Sequence, residues 1–115
     1  MPFVCVRSSQ HLPEDKIDRL QKEIGRIISI IPGKSIDNCM IQISGDHKTF
    51  MGGKPANATF CEIRMLGKAP NEKKKEFTGE LNKVLSGELD GLDKLFINFQ
   101  EYFEWGVGPE YIEVK

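Results

Sequence analysis

Pro2 has the most distinctive chemistry in the sequence, because removal of Met1 would leave it as a free secondary amine. A small second residue normally permits that removal. A free α-amino group titrates at about 7.7–8.0, and burial among apolar groups or close to a cation lowers this pKa. A neutral amine can then take a proton from a carbon next to a carbonyl and return it elsewhere. Met-Pro is also a common processed terminus, so the dipeptide alone does not assign this role.

Lys34 and Asn98 are two further polar candidates. Lys34 follows Gly33 at the predicted end of a helix, where a lysine complements the helix dipole and is usually solvated. Asn98 stands in the otherwise apolar run 95–99, so its amide needs a partner, either within the core or on a ligand. The run of lysines at 73–75 is predicted to be the solvated face of a helix.

The cysteines and histidines favour neither a disulfide nor a metal site. The three cysteines are an odd number, form no CxxC pair and have no close histidine. We interpret them as small apolar residues, and we expect no metal and no cofactor. The two histidines are far apart in the sequence and are predicted to lie at the surface. The residues concerned are Cys5, Cys39, Cys61, His11 and His47.

The composition is that of an ordinary folded chain. The 115 residues are enough for one domain, which we predict to span residues 1–115. A net charge of -1 argues against a nucleic-acid partner, and no apolar run approaches the roughly 20 residues of a membrane span. The amino-terminal residues do not resemble a signal peptide. We therefore expect a cytoplasmic protein, and export without a signal peptide remains open.

Hydrophobic periodicity predicts the same order of elements twice. Residues 2–7 are extended, a helix opens at Pro13 and stops at Pro32, and residues 39–44 alternate as a half-buried strand. Residues 58–66 alternate again, and a second helix is predicted after Asn71 as its cap. Residues 87–93 are predicted to turn the chain, and residues 95–99 form a fourth strand. The first helix has an apolar stripe of Ile17, Leu20, Ile24, Ile27, Ile28 and Ile31, and the second has one of Phe77, Leu81, Val84 and Leu85.

Two strand–helix–strand units predict an α/β two-layer sandwich: a four-stranded mixed sheet with two helices on one face. Two helices cover only that face. Phe60, Leu66 and Phe96 are predicted on the other, opposite to Cys61 and Ile63. A second apolar face must be buried against something, and self-association is the simplest answer.

Several short motifs occur in one order along the chain: Met1-Pro2, Gly33-Lys34, Asp46 followed by Gly52-Gly53, Leu66-Gly67-Lys68, and Phe96-Ile97-Asn98-Phe99. In their order and spacing they resemble the tautomerase superfamily, specifically its macrophage migration inhibitory factor and D-dopachrome tautomerase type. The resemblance runs from Pro2 to about Phe99. It implies a homotrimer whose sheets form a central barrel, and keto–enol tautomerase activity on phenylpyruvate-like 2-oxo acids at sites between subunits.

The resemblance also implies roles for individual residues. Pro2 would be the catalytic base, and Lys34 would pair with the substrate carboxylate and lower the amine pKa. Leu66 matches a position whose backbone amide contacts substrate. Phe96 matches a ring that lines the pocket, and Asn98 matches an asparagine contributed to a neighbouring subunit's pocket, although a hydrogen bond within the core remains an equal alternative.

The sequence departs from the family pattern around the pocket. Phe96 and Asn38 stand where macrophage migration inhibitory factor has tyrosines, and Ala58 replaces the first cysteine of a CxxC, so redox chemistry is not implied. The carboxyl-terminal segment aligns in two ways. Either Trp105 matches the family tryptophan, or Pro109 replaces it.

Two other functions remain open. The protein could be a cytokine-like, receptor-binding protein with a vestigial pocket, since receptor binding leaves no local signature. The same proline could also serve dehalogenation or decarboxylation. Those branches add arginines around the pocket, and neither Arg7 nor Arg64 could be matched to such a role.

Overall fold

The computed structural model describes residues 1–114. Two strand–helix–strand units follow each other, and each is followed by a small hairpin. The two hairpins were not predicted. Because one follows each unit, the repeated unit is strand–helix–strand–hairpin. In chain order the elements are β1 (Pro2–Ser8), α1 (Glu14–Ile27), β2 (Met40–Ser44), β3 (Phe50–Met51), β4 (Lys54–Pro55), β5 (Ala58–Leu66), α2 (Asn71–Glu88), β6 (Lys94–Tyr102), β7 (Glu104–Val107) and β8 (Glu110–Glu113).

The central sheet has the strand order β2-β1-β5-β6. Strand β1 is parallel to β2, and β5 is parallel to β6, because a helix connects the strands of each pair. The two units meet along β1 and β5, which are antiparallel. The predicted four-stranded mixed sheet is therefore confirmed, and its two inner strands are the first strands of the two units.

Helix α1 begins as predicted and ends differently. Pro13 precedes the first turn in an extended conformation, and Glu14 and Asp15 complement the positive end of the helix dipole. The α-helical part ends at Ile27, and the predicted last turn is a 3-10 helix, Ile28–Ile30. The tighter turn still places Ile31 in the core.

Helix α2 corrects the prediction at both ends. Asn71 is its first helical residue and not its cap. Pro70 takes the cap position, and no side chain of residues 1–114 caps the helix. The helix continues through Gly87 to Glu88, where the sequence predicts a turn. Burial of the apolar stripe stabilises the helix by more than this glycine destabilises it.

The core lies between the helices and one face of the sheet. On β5 the side chains of Thr59, Cys61, Ile63 and Met65 are all buried, as the alternation predicted. The helices contribute the predicted apolar stripes, and α2 meets β6 where the Phe77 and Phe99 rings lie edge to face at 6.2 Å. No helix in residues 1–114 is long and apolar enough to cross a membrane.

Shortening a core side chain by one methyl group tests this packing. Ile63 is fully buried on β5, so Ile63→Val should lower the free energy of unfolding by about 0.5–1.5 kcal/mol, since a methyl-sized void remains. Ile36→Val is the matched control, because Ile36 is 53% exposed. Chemical denaturation followed by circular dichroism measures both. Equal losses for the two variants would contradict this description of the core.

The sheet face opposite the helices is uncovered in the single chain. Phe60 and Phe96 are 38% and 46% exposed, and their rings pack edge to face at 6.2 Å. This confirms the predicted apolar second face. The same face carries Arg7, Glu62 and Arg64, and the Glu62 carboxylate lies 3.6 Å from Arg7 and 3.2 Å from Arg64.

Candidate active site

A cleft of about 820 Å³ opens at the amino-terminal end of β1. Met1, Pro2 and Phe3 form one part of its lining, and Met40 and Arg64 belong to the strands on either side of β1. The far wall is formed by residues in the range 102–108, where the chain turns from β6 into the second hairpin. The amino terminus therefore lies in a concave site formed by three parts of the chain.

Pro2 is buried at the first position of β1, opposite Met65 of β5. Proline has no N–H group to donate to a neighbouring strand, and it is tolerated here because the first residue of a strand can lack that hydrogen bond. The fixed ring and the strand pairing hold the backbone here in one conformation. An amine on Pro2 would therefore be held at the cleft with little freedom.

Lys34 and Leu66 are brought together beside the amino terminus, although they are far apart in the sequence. The Lys34 ammonium donates a hydrogen bond to the Leu66 carbonyl oxygen at 3.0 Å. Gly33 and Gly67 flank this pair with φ angles of 78° and 87°, a conformation that favours glycine. The turns at these glycines thus direct the end of the first helical segment and the end of β5 to one place.

The α-amino group, which lies on Met1 in the full-length chain, is electrostatically perturbed. Burial, and then the neighbouring Lys34, lower its pKa from 8.0 to about 6. Both causes disfavour the charged amine, one by removing water and the other by like-charge repulsion. An amino group in this environment is mostly neutral at pH 7 and can accept a proton.

Cys39 lies close enough to the amino group to affect its titration. Burial raises the pKa of the Cys39 thiol to about 11, so the thiol stays protonated at neutral pH and is a poor nucleophile. Cys5, Cys39 and Cys61 are all free. The amine is therefore a better candidate for proton transfer at this position than the thiol.

Aromatic rings form the far wall of the cleft. The Tyr102 and Trp105 rings lie 6.1 Å apart at 56°, and both line the cleft together with Val107. Trp105 thus occupies the wall of the cleft, and Pro109 lies in the following turn. Asn38 also lines the cleft, at the position where the family resemblance indicated a pocket-edge residue.

Phe96 and Asn98 lie elsewhere in the single chain. Both are on β6 at positions that face away from the helices, and the described lining of the cleft includes neither. Asn98 lies opposite Glu62 of β5, and its side-chain oxygen is buried without a hydrogen-bond partner among residues 1–114. Lys34 and Leu66 are not in the described lining of the cleft either. They do lie beside the amino group, so one chain brings them together with Pro2 but not with Phe96 and Asn98.

Tyr102 and Arg64 line the cleft, although no sequence pattern indicated a role for either residue. Strand alternation could have placed Arg64 on the same face as Phe60, since the two are four residues apart on β5. Tyr102 was missed because β6 was predicted to end at residue 99, whereas it continues to 102. Trp105 had been noted, but only the hairpin places it, together with Val107, at the cleft.

Comparisons with known proteins agree with this architecture. A family model described as Macrophage migration inhibitory factor matches residues 1–111. The MIF2 protein of Leishmania major has a similar structure, with a TM-score of 0.86, 21% identity and 97% of each chain covered. The macrophage migration inhibitory factor-like protein of Entamoeba histolytica matches with a TM-score of 0.81 and 22% identity, over 96% of this chain and 98% of that chain.

A more distant structure has the same fold. A fused 4-OT protein, described as an asymmetric trimer, matches with a TM-score of 0.78 and 15% identity over 94% of each chain. The sequence has no significant match among curated proteins.

Proposed function

The chain belongs to the macrophage migration inhibitory factor family, and on that premise we propose that it is a keto–enol tautomerase of phenylpyruvate-like 2-oxo acids. Pro2 is the general base after removal of Met1. The observation that carries the proposal is the lowered pKa, about 6, of an amino group that lies in a cleft beside Lys34. A base with a pKa near the working pH is both available and effective.

Removal of Met1 transfers the amino group to Pro2. Pro2 is buried, so the desolvation that already lowers the pKa of the Met1 amine acts on the proline amine in the same direction. The ring keeps the nitrogen at the end of β1, so little reorganisation is needed to place the base. The proposal therefore needs a processed amino terminus.

The reaction needs one base and one carboxylate contact. In the enol-to-keto direction, the Pro2 nitrogen accepts the proton of the enol hydroxyl, the carbonyl forms, and the proton is delivered to C3. The Lys34 ammonium pairs with the substrate carboxylate and keeps the amine neutral. The Leu66 backbone amide is an additional substrate contact. Phe96 contributes a ring without a hydroxyl, so it cannot donate a proton to the substrate.

A homotrimer is part of the same proposal. It would cover the apolar face of the sheet, on which Phe60 and Phe96 are exposed, and it would bring Phe96 and Asn98 of one subunit to the cleft of the next. The unpartnered oxygen of Asn98 would then gain a partner. A trimeric state of the fused 4-OT protein, which has the same fold, supports this arrangement.

A charge on the apolar face should break this assembly. Phe96→Asp should shift the mass in solution from three chains of 13.0 kDa towards one, because a carboxylate at a buried interface is left without compensation. Light scattering coupled to gel filtration measures the mass. Lys75→Asp, a change on the exposed side of α2, is the control and should leave the mass unchanged. A wild-type chain that is monomeric at micromolar concentration would contradict the trimer.

One experiment tests the function directly: mass spectrometry of the purified amino terminus together with an enol–keto assay on phenylpyruvate. We expect loss of Met1 and turnover that depends on Pro2. A receptor-binding protein with a vestigial pocket predicts no proline-dependent turnover. Retention of Met1 in an active preparation would exclude Pro2 as the base.

A further inference from the structure

Arg64 supplies the cleft with a second cation, on a different element from Lys34. It lies on β5, across from Phe3 of β1, and its guanidinium carbon is 5.9 Å from the centre of the Phe3 ring. The side chain is 40% exposed and lines the same cleft as Pro2. Its charge is therefore within reach of a ligand that occupies the cleft.

The guanidinium of Arg64 is oriented by a shared carboxylate. One terminal nitrogen donates to Glu62 at 3.2 Å, and the same Glu62 oxygen also lies 3.6 Å from Arg7. The Glu62 side chain is only 16% exposed. One carboxylate between two guanidinium groups leaves a net positive charge, so Glu62 fixes Arg64 without neutralising the cluster.

Arg64 also retains unused hydrogen-bonding capacity. A guanidinium carries five N–H donors, and Glu62 accepts from only one of its terminal nitrogens among the described residues. The Arg64 Nε atom is buried and has no partner in the same part of the chain. In the single chain the second terminal nitrogen belongs to a side chain that is 40% exposed, at the cleft end of β5 and four residues from Phe60. A carboxylate in the cleft can accept from this nitrogen only if the proposed trimer covers the Phe60 end of this face and leaves Arg64 open to the cleft.

The opposing charge in the cleft lies on the other wall. Glu104 also lines the cleft, and its carboxylate accepts a hydrogen bond of 2.6 Å from the Tyr111 hydroxyl across the β7–β8 hairpin. The negative charge of Glu104 disfavours a bound anion on the hairpin side of the cleft. An acidic group bound in the cleft is therefore expected to lie on the β5 side, next to Arg64.

We infer that Arg64 is a specificity-determining contact for a second acidic group, so that the preferred substrates are 2-oxo acids with another carboxylate at the end remote from the oxo group. The inference rests on the proposed tautomerase function. Lys34 holds the carboxylate next to the oxo group, beside the amine. Arg64 pairs with the remote carboxylate, for which a planar guanidinium is well suited.

Two substrates that differ by one carboxylate test this role: phenylpyruvate and para-carboxyphenylpyruvate. Wild-type kcat/KM should favour the diacid. Arg64→Met should lower kcat/KM for the diacid by about 10- to 30-fold, as expected for loss of a charged hydrogen bond, and should change that for phenylpyruvate by less than about threefold. Arg64→Lys should restore part of the preference, since lysine keeps the positive charge but lacks the planar pair of N–H donors of a guanidinium.

Arg7→Met is the matched control. It removes the same charge from the same Glu62 carboxylate, but Arg7 lines a different cleft, with Phe60 and His47. It should leave the ratio of the two kcat/KM values unchanged. An equal loss on both substrates in Arg64→Met, an equal effect of Arg7→Met, or a wild type without preference for the diacid would overturn the inference.

Binding of unreactive acids separates this inference from the proposed function. Calorimetry with terephthalate and benzoate should show tighter binding of the diacid, and Arg64→Met should abolish the difference. If neither oxo acid is turned over but this difference is present, the tautomerase proposal is wrong and the Arg64 contact stands. If both oxo acids are turned over with Pro2 dependence and Arg64→Met changes neither the kinetic ratio nor the binding difference, the tautomerase stands and the Arg64 contact is wrong.

Discussion

Replacing Pro2 by glycine should lower kcat/KM for phenylpyruvate by about 10²-fold, which is at the lower end of what a positioned general base contributes. Glycine keeps an amine at the terminus, so the chemistry is weakened and not abolished. The loss comes from the ring, which fixes the nitrogen at the start of β1. Steady-state ultraviolet assays of ketonisation measure it, and mass spectrometry must show that Met1 is removed from both proteins.

The control for this variant is Pro55→Gly, an equivalent substitution in β4 at an exposed position outside the cleft. It should leave kcat/KM within about twofold of the wild-type value, since surface changes away from a site have small effects. If Pro2→Gly and Pro55→Gly are equally active, Pro2 does not act as the base. If Pro2→Gly alone fails to fold, its circular dichroism spectrum will differ from that of the wild type, and Met1 removal and the wild-type pH profile then carry the test.

Local periodicity was sufficient to predict the sheet and both helices. The alternation on β5 covers nine residues and the predicted apolar stripe of the first helix consists of six, and burial in the structure follows both closely. The helix ends were less predictable. Pro70 replaces Asn71 at the cap of α2 because the helix is held by its buried stripe, so a capping side chain is not needed to define its start.

The hairpins could not be predicted in the same way. Strands β7 and β8 have four residues each and are mostly exposed, so they carry no alternation between core and solvent. The β3–β4 hairpin did have a local signal, since Gly52 and Gly53 both adopt positive φ angles of 58° and 77°, as a tight two-residue turn requires. Because the second hairpin was not predicted, the wall of the cleft that contains Trp105 could not be predicted either.

Residues that are distant in the sequence meet near the cleft because of the sheet topology, which no local sequence pattern encodes. Lys34 and Leu66 are 32 residues apart and meet only because β1 pairs with β5 while the first helical segment ends beside them. The family resemblance supplied these residues, and the structure places both beside the amino terminus. Phe96 and Asn98 remain predictions for the pocket, because they reach a cleft only if a second subunit contributes them.

Lys34→Met should have the second largest effect, with kcat/KM for phenylpyruvate lower by about 10²-fold at pH 7. Methionine keeps an apolar stem of similar length but removes the ammonium that is proposed to pair with the substrate carboxylate, a charged hydrogen bond of about 1.5–3 kcal/mol. Part of the loss at this pH has a different origin, since the same ammonium contributes, after burial, to the lowered pKa of the amine. A pH profile separates the two contributions.

The acidic limb of the kcat/KM profile reports the pKa of the base in the free enzyme. Because the base must be neutral, activity rises with pH through that pKa, which is about 6 for the amino group of the full-length chain. Burial is the larger cause of the lowering and Lys34 the second. Removal of Lys34 should therefore move the limb to higher pH, but not as far as the ordinary value of 8.0, and the variant should lose more activity at pH 6 than at pH 8.

Lys68→Met provides the matched control for this profile. Lys68 is exposed and is not among the groups that shift the pKa of the amine, so the same change of net charge should leave the acidic limb in place. A Lys34→Met enzyme with lower kcat/KM but an unmoved limb would show that Lys34 only holds the substrate. An unchanged kcat/KM with a moved limb would show the reverse, that Lys34 tunes the base and another group binds the carboxylate.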